Sequence, residues 1–325
     1  LMEEEGIFYF FKHTSSGHQL VLANTPDSHP AVPGSATITF DPNATQKSPA
    51  QVVYQFEICQ EIRSGKYTLR DYSFQEPEQN FEVQATIQDS VQVGTVTHRL
   101  GVGGNDGFEI YDYPGGYAKR FDGIDPGGGD SILLDGQRTV GIRMEEEALP
   151  SLQVAGAATA RQLTAGFQFA LQRHFNGDGP YVLTSVEHSA QAPNVDSGDL
   201  SYTNQFTCIP LALPYRPARV TPRPTAGTQT AVVVGPAGEE IFMDRYGRVK
   251  VQFHWDREGK SDANSSCWIR VGALYAGRQQ RGVVDVPRIG DEIVVAFEEG
   301  DPDRPLITGS VYNADRLPPP FPPPS

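Results

Sequence analysis

Asp244-Arg-Tyr-Gly-Arg-Val-Lys-Val-Gln-Phe-His-Trp-Asp256 opens the last third of the chain and decides how that third folds. Side chains of an extended strand alternate between two faces, so Val249, Val251, Phe253 and Trp255 fall on one side and Arg248, Lys250, Gln252 and His254 on the other. The first row reads as core; the second is a basic face for solvent or a partner. Working outward, strand patterns recur at Ala231–Val234, Glu240–Met243, Ser266–Gly272, Ile293–Glu298 and Leu306–Tyr312. A tight turn at Asp244–Gly247 and a longer loop at Asp256–Ser265 join them, and short strands linked in this way make a small Greek-key barrel.

The upstream part is punctuated in the same manner. The 325 residues include 33 glycines and 26 prolines, spread between short β-branched and aromatic runs, which favours sheets over helices. Gly6–Lys12 and Gln19–Ala23, either side of His13-Thr-Ser-Ser-Gly17, read as a β-hairpin. Further strands are expected at Val52–Ile58, Lys66–Tyr72, Phe81–Ile87 and Phe108–Tyr113, and a second antiparallel group at Gly166–His174, Tyr181–Ala190 and Tyr202–Ile209. The run between Arg120 and Gly136, with three consecutive glycines, suits a mobile surface loop. Val140 and Met144 mark a helix from Gln137 to about Glu147, although Glu145–Glu147 then occupy the end of the helix dipole that disfavours acids.

Pro210-Leu-Ala-Leu-Pro-Tyr-Arg-Pro-Ala-Arg-Val-Thr-Pro-Arg-Pro224 is rich in a residue that lacks an amide donor and fixes φ, so it reads as an extended linker. The expected organisation is a β-barrel region at 1–209, the linker at 210–224, a barrel at 225–316 and a polyproline II stalk at Leu317–Ser325. The chain is long enough for sizeable cores in both folded parts.

The formal charge of −14 is uneven. Residues 1–221 carry 26 acidic against 14 basic side chains, and residues 222–325 carry 14 against 12. An acidic first part argues against a phosphate backbone as partner, so nucleic acid is not expected. Cys59, Cys208 and Cys267 lie far apart without metal-ligand spacing and read as reduced structural residues. No apolar run approaches a membrane span, and Leu1-Met-Glu-Glu-Glu-Gly6 has no Sec-type signal pattern, which points to folding in a cytoplasm. The start reads as a boundary within a longer phrase.

Chemistry is sparse. His254-Trp-Asp256 and the acids Glu298, Asp301 and Asp303 invite a metal or acid/base reading. A strand histidine beside a turn aspartate is more often a surface pair, and acids around Gly300 and Pro302 suit a solvated turn. Gly103-Gly-Asn-Asp-Gly107 and Gly127–Gly129 lack the strand, helix and lysine of a phosphate cradle. No nucleophile elbow, Walker loop or zinc-protease pattern occurs, so no catalytic residue, metal or cofactor is expected.

Three phrases follow one another in the last third: Asp244–Asp256, Val286-Pro-Arg-Ile-Gly-Asp-Glu292 and Phe297-Glu-Glu-Gly-Asp-Pro-Asp-Arg-Pro305, closing on Thr308-Gly-Ser-Val-Tyr-Asn313. With Glu5-Gly-Ile-Phe-Tyr-Phe-Phe11, Tyr111-Asp-Tyr-Pro-Gly-Gly-Tyr117 and Ser201-Tyr-Thr-Asn-Gln-Phe206, they resemble the VgrG family of type VI secretion spikes, in that family's order and over nearly the whole chain. The resemblance implies a mainly β phage-hub-like region followed by an OB-fold spike base, similar to contractile phage tail hub and spike proteins. It further implies a homotrimer seated on a tube of Hcp hexamers, with tip protein and effectors at a needle outside this chain. Target membranes would be contacted mechanically, and the protein would be cytoplasmic until exported through the apparatus. Charge pairing across the threefold axis would involve Arg248, Lys250 and His254 against Glu298, Asp301 and Asp303. A spike of another phage-like injection system, and an OB ligand-binding module, are the alternatives.

Overall fold

The structure is a computed structural model, and it describes residues 1–44, 50–119, 129–191 and 201–319. Two compact units emerge: the first comprises Leu1–Ala118 and Gly129–Thr221, and the second runs from Pro222 and includes Lys119. Phe121–Gly128 of the expected loop and the tail from Pro320 lie outside the described residues.

In the first unit β1 (Phe8–Thr14) and β2 (Gly17–Ala23) form the hairpin, with a shorter connection than expected because Thr14 pairs with Gly17. Its centre is a closed barrel in the order β10-β13-β12-β11-β3-β4. The barrel strands are β3 (Thr37–Phe40), β4 (Val52–Gln60), β10 (Leu152–Ala158), β11 (Gln168–Gln172), β12 (Gly179–Gln191) and β13 (Ser201–Pro210). Most pairs are antiparallel, but β3 lies between β4 and β11 and runs parallel to both. Between β4 and β10 the chain adds β5 (Lys66–Asp71), β6 (Phe81–Thr86), the hairpin β7 (Ser90–Val93) and β8 (Val96–Arg99), then β9 (Glu109–Asp112), which pairs parallel to β5.

Helix α1 spans Gly129–Ala148, one full stretch longer at its start than the sequence predicts. Its buried residues Ile132, Gly136, Val140, Met144 and Ala148 recur every fourth position and form one ridge, which packs on β5 and β6. The early start has a distant cause: the carboxylate of Glu76 accepts the Gly129 N–H at 3.1 Å and satisfies one of the first-turn donors. A Cβ at Gly136 would come within 2.9 Å of the Tyr117 ring, so the ridge is notched there for Tyr117. Tyr117 in turn is fixed by its own N–H and that of Ala118, both donated to Asp71 Oδ2 at 2.9 and 3.0 Å.

The second unit is a five-stranded sheet in the order β15-β14-β17-β18-β16, built from β14 (Gln229–Val234), β15 (Lys250–Phe253), β16 (Arg270–Val271), β17 (Glu292–Phe297) and β18 (Pro305–Val311). A bridge between Val249 and Ile269 joins its two edges, so the sheet curls onto itself around Ala231, Val233, Val249, Val251, Ile269, Ile293, Val295 and Ile307. Burying each valine or isoleucine side chain of this cluster contributes about 1.5–3 kcal/mol. The expected strand at Glu240–Met243 is reduced to a bridge at Met243, and that at Ser266–Gly272 to β16 plus Ile269. The overall result is the expected mainly β fold, with a closed six-stranded barrel in the first unit and a small curled-sheet barrel in the second.

Candidate functional site

The face of β15 was the sequence's candidate for a partner, and the structure divides it. Lys250 Nζ donates to the Ala263 carbonyl at 2.6 Å and sits 5.1 Å from the Trp268 ring centroid. His254 is exposed, with Nε2 3.1 Å from Thr230 Oγ1 and 3.8 Å from the Glu292 carboxylate. The Asn313 amide, then the Thr230 hydroxyl, hold the Glu292 carboxyl below the usual range.

Arg248 does not belong to this face. Its side chain is buried and paired with Asp244, because the residue stands at the turn where the strand begins and the alternation has not yet started. Trp255 reverses the other expectation. Read as core, it is 70% exposed, since the inward row Val249, Val251, Phe253, Trp255 climbs out past the end of the barrel. Its ring stacks on Phe253 at 5.4 Å, and its indole N–H donates to Gln229 Oε1 at 3.0 Å, which fixes the orientation of an exposed aromatic plane. The position of a strand's end cannot be read from alternation alone, so this platform was missed.

The acids of the 298–303 turn have partners within the second unit. Glu298 accepts from Arg270 at 2.6 Å, and Lys119 lies 3.1 Å from both Asp301 and Asp303. Burial pushes the Asp301 carboxyl up, but the Asp303 N–H and the Lys119 ammonium outweigh it and hold the group below the usual range. The backbone makes the turn with Glu299 and Gly300 both at positive φ.

A second exposed surface lies on the hairpin of the first unit. Tyr9 faces Leu22 and Phe11 faces Leu20 across the strands, and all four are exposed, while Phe8 and Phe10 on the other face are buried. Beneath it a cavity of about 300 Å³ is walled by Phe8, Phe10, His29 and Tyr215. The signal was present in the unbroken apolar run Ile7–Phe11. Among the described residues no three His, Cys, Asp or Glu side chains converge as a metal site, and the three cysteines are free thiols. No helix among them is long and apolar enough to cross a membrane.

Each unit carries most of the match to one known protein family. Residues 1–194 match the phage tail baseplate hub (GPD) family, and residues 242–312 match the type VI secretion system/phage-baseplate injector OB domain. The chain belongs to the phage tail baseplate hub family. Its likeness to VgrG proteins runs along the whole sequence: it is 37% identical to the type VI secretion system spike protein VgrG1b of Pseudomonas aeruginosa and 36% identical to VgrG1a of the same organism, over 98% of this chain in each case. It covers 40% and 47% of those two proteins, so it spans less than half their length. The actin cross-linking toxin VgrG1 of Vibrio cholerae is 33% identical over 98% of this chain, which covers 27% of that protein. Among solved structures, the Escherichia coli c3393 protein, described as a type VI component similar to the T4 bacteriophage tail proteins gp27 and gp5, superposes with a TM-score of 0.51 at 19% identity. The match covers 96% of this chain and 58% of that one, and it shows the fold.

Proposed function

We propose that this chain is the hub and spike-base segment of a type VI secretion spike, acting as a homotrimer that caps a tube of Hcp hexamers. The observation that carries the reading is the order of parts: a hub barrel followed directly by an injector OB domain, in one chain similar to VgrG spikes throughout. The role is mechanical, without catalysis or cofactor in this segment. Effectors and a tip protein are carried on a needle beyond it, target membranes are met only by puncture, and nucleic acid is not a partner. The protein is cytoplasmic before assembly and leaves through the apparatus. At the subunit interface we place Lys250 and His254 against Glu298, Asp301 and Asp303 of a neighbour, as contacts in a closed ring; Arg248, buried within its own chain, is withdrawn from that set.

Light scattering of the purified chain tests this. A particle of three times the 35.5 kDa chain mass is expected, and a stable monomer at micromolar concentration, unchanged when flanking sequence is restored, argues against it. The family description also embraces a baseplate spike of another injection system; failure to bind Hcp hexamers while trimerising would favour it. The exposed plane of Trp255 favours a second class, an OB module that stacks a ring of a ligand. Saturable quenching of tryptophan fluorescence by an oligosaccharide, lost in Trp255→Ala, would support that class.

A further inference from the structure

The segment that follows Leu213 has no helix or strand, yet it lies against the first unit from Tyr215 to Thr221. What holds it is a row of carboxylates. Arg216 Nε donates to Glu145 Oε2 at 2.6 Å, and its Nη1 to the carbonyls of Gly6 and Asn24 at 3.0 and 2.8 Å. Glu146 accepts both the backbone N–H of Arg219, at 2.9 Å, and its Nε, at 3.1 Å, while Nη2 of Arg219 reaches the Tyr67 hydroxyl at 3.3 Å. Glu3 accepts the N–H groups of Val220 and Thr221 at 3.1 and 3.0 Å and the Thr221 hydroxyl at 2.9 Å.

Glu146 is the keystone. Its Oε2 also faces Nη1 of the buried Arg143 at 3.5 Å, so one carboxylate separates two guanidinium groups. Burial, and then the neighbouring Arg219, push the Arg143 guanidinium down. Without the carboxylate, Arg143 and Arg219 would repel across a poorly solvated gap. The Glu3 contacts and the Arg219–Glu146 bonds lie at the surface, where salt screens them, whereas the barrel core beneath does not depend on charge.

We infer that Arg216–Thr221 is an electrostatic strap, closed by Glu3, Glu145 and Glu146, which opens and frees the segment from the first unit while that unit stays folded. The anchor at Leu213 is apolar and buried, so the strap opens from its far end.

Trypsin reads the strap directly. It cleaves after arginine except before proline, so Arg216-Pro217 and Arg223-Pro224 resist, and Arg219–Val220 is the tryptic bond within the segment. In the full chain at low salt, cleavage there should be slow relative to the exposed Arg278–Gln279 bond. Glu146→Gln should raise that ratio at least tenfold, and Glu3→Gln or high salt by a smaller factor, with far-UV circular dichroism and tryptophan fluorescence unchanged. A ratio unaltered in both variants overturns the proposal. So does a ratio that rises only together with loss of the circular dichroism signal, in either variant.

Discussion

Nε of Arg248 lies 2.6 Å from Oδ2 of Asp244, four residues upstream, and each side chain is 1% exposed. The other oxygen of Asp244 accepts the N–H groups of Tyr246 and Arg248 at 3.0 and 2.9 Å. One carboxylate therefore both shapes the turn and neutralises a buried cation, and Gly247 supplies the positive φ of 70° that the turn requires.

Asp244→Ala should cost the second unit about 3–5 kcal/mol, because it removes the carboxylate that pairs with the buried Arg248 charge. The chain has two tryptophans, Trp255 and Trp268, and both lie in this unit, so their fluorescence follows its unfolding in urea. The midpoint of the fluorescence transition should fall steeply. A loss below about 1 kcal/mol would mean that the pair is hydrated and its burial illusory.

Two glycines of α1 should respond in opposite senses to alanine. At Gly141 a Cβ meets nothing within 4 Å, so Gly141→Ala should stabilise the first unit by about 0.5–1 kcal/mol through helix propensity. At Gly136 it meets Tyr117 at 2.9 Å and Val83 at 3.1 Å, and the overpacking should outweigh that gain by about 1–3 kcal/mol. Urea unfolding followed by circular dichroism checks both; equal effects would contradict the notch for Tyr117.

Burial holds the imidazoles of His29, His98 and His174 below the ordinary histidine range. The folded chain then binds fewer protons than the unfolded one once pH drops below about 6.5, so stability present above that value is lost as pH falls toward the depressed folded values. Thermal unfolding of the first unit between pH 7.5 and 5.5 should show this decline. Replacing His98 by Gln should flatten it, whatever the change in absolute stability, and an unchanged slope would remove His98 from the account.

Much of the fold could be read in advance, because strands such as Phe81–Thr86 and Glu292–Phe297 alternate cleanly between core and surface. The strand β10 could not: Leu-Gln-Val-Ala-Gly-Ala-Ala looks too poor in β-branched residues, yet a Cβ at Gly156 would strike the Phe206 ring at 2.3 Å, so smallness is what that position needs. The acids at the end of α1 looked misplaced against the helix dipole. Arg63, Arg216 and Arg219, from segments far away in sequence, supply the countercharge. The prolines of 210–224 announce an extended chain, and no helix or strand follows Leu213 there, but they do not announce the carboxylates that hold Arg216–Thr221. At the candidate face, alternation placed Lys250 and His254 correctly and failed at both ends, Arg248 and Trp255, where the strand stops.

The position of β3 between β4 and β11 sets a schedule for the newborn chain. A ribosome delivers β3 and β4 early, but their outer neighbours, β10 for β4 and β11 for β3, are finished only at Ala158 and Gln172. At about 5–20 residues per second, that leaves an interval on the order of ten seconds in which the edges of β3 and β4 carry unsatisfied amides and carbonyls. Nascent copies emerging side by side are then exposed to mispairing with one another, and the hazard at these two edges ends when Leu152–Ala158 pairs with β4 and Gln168–Gln172 with β3.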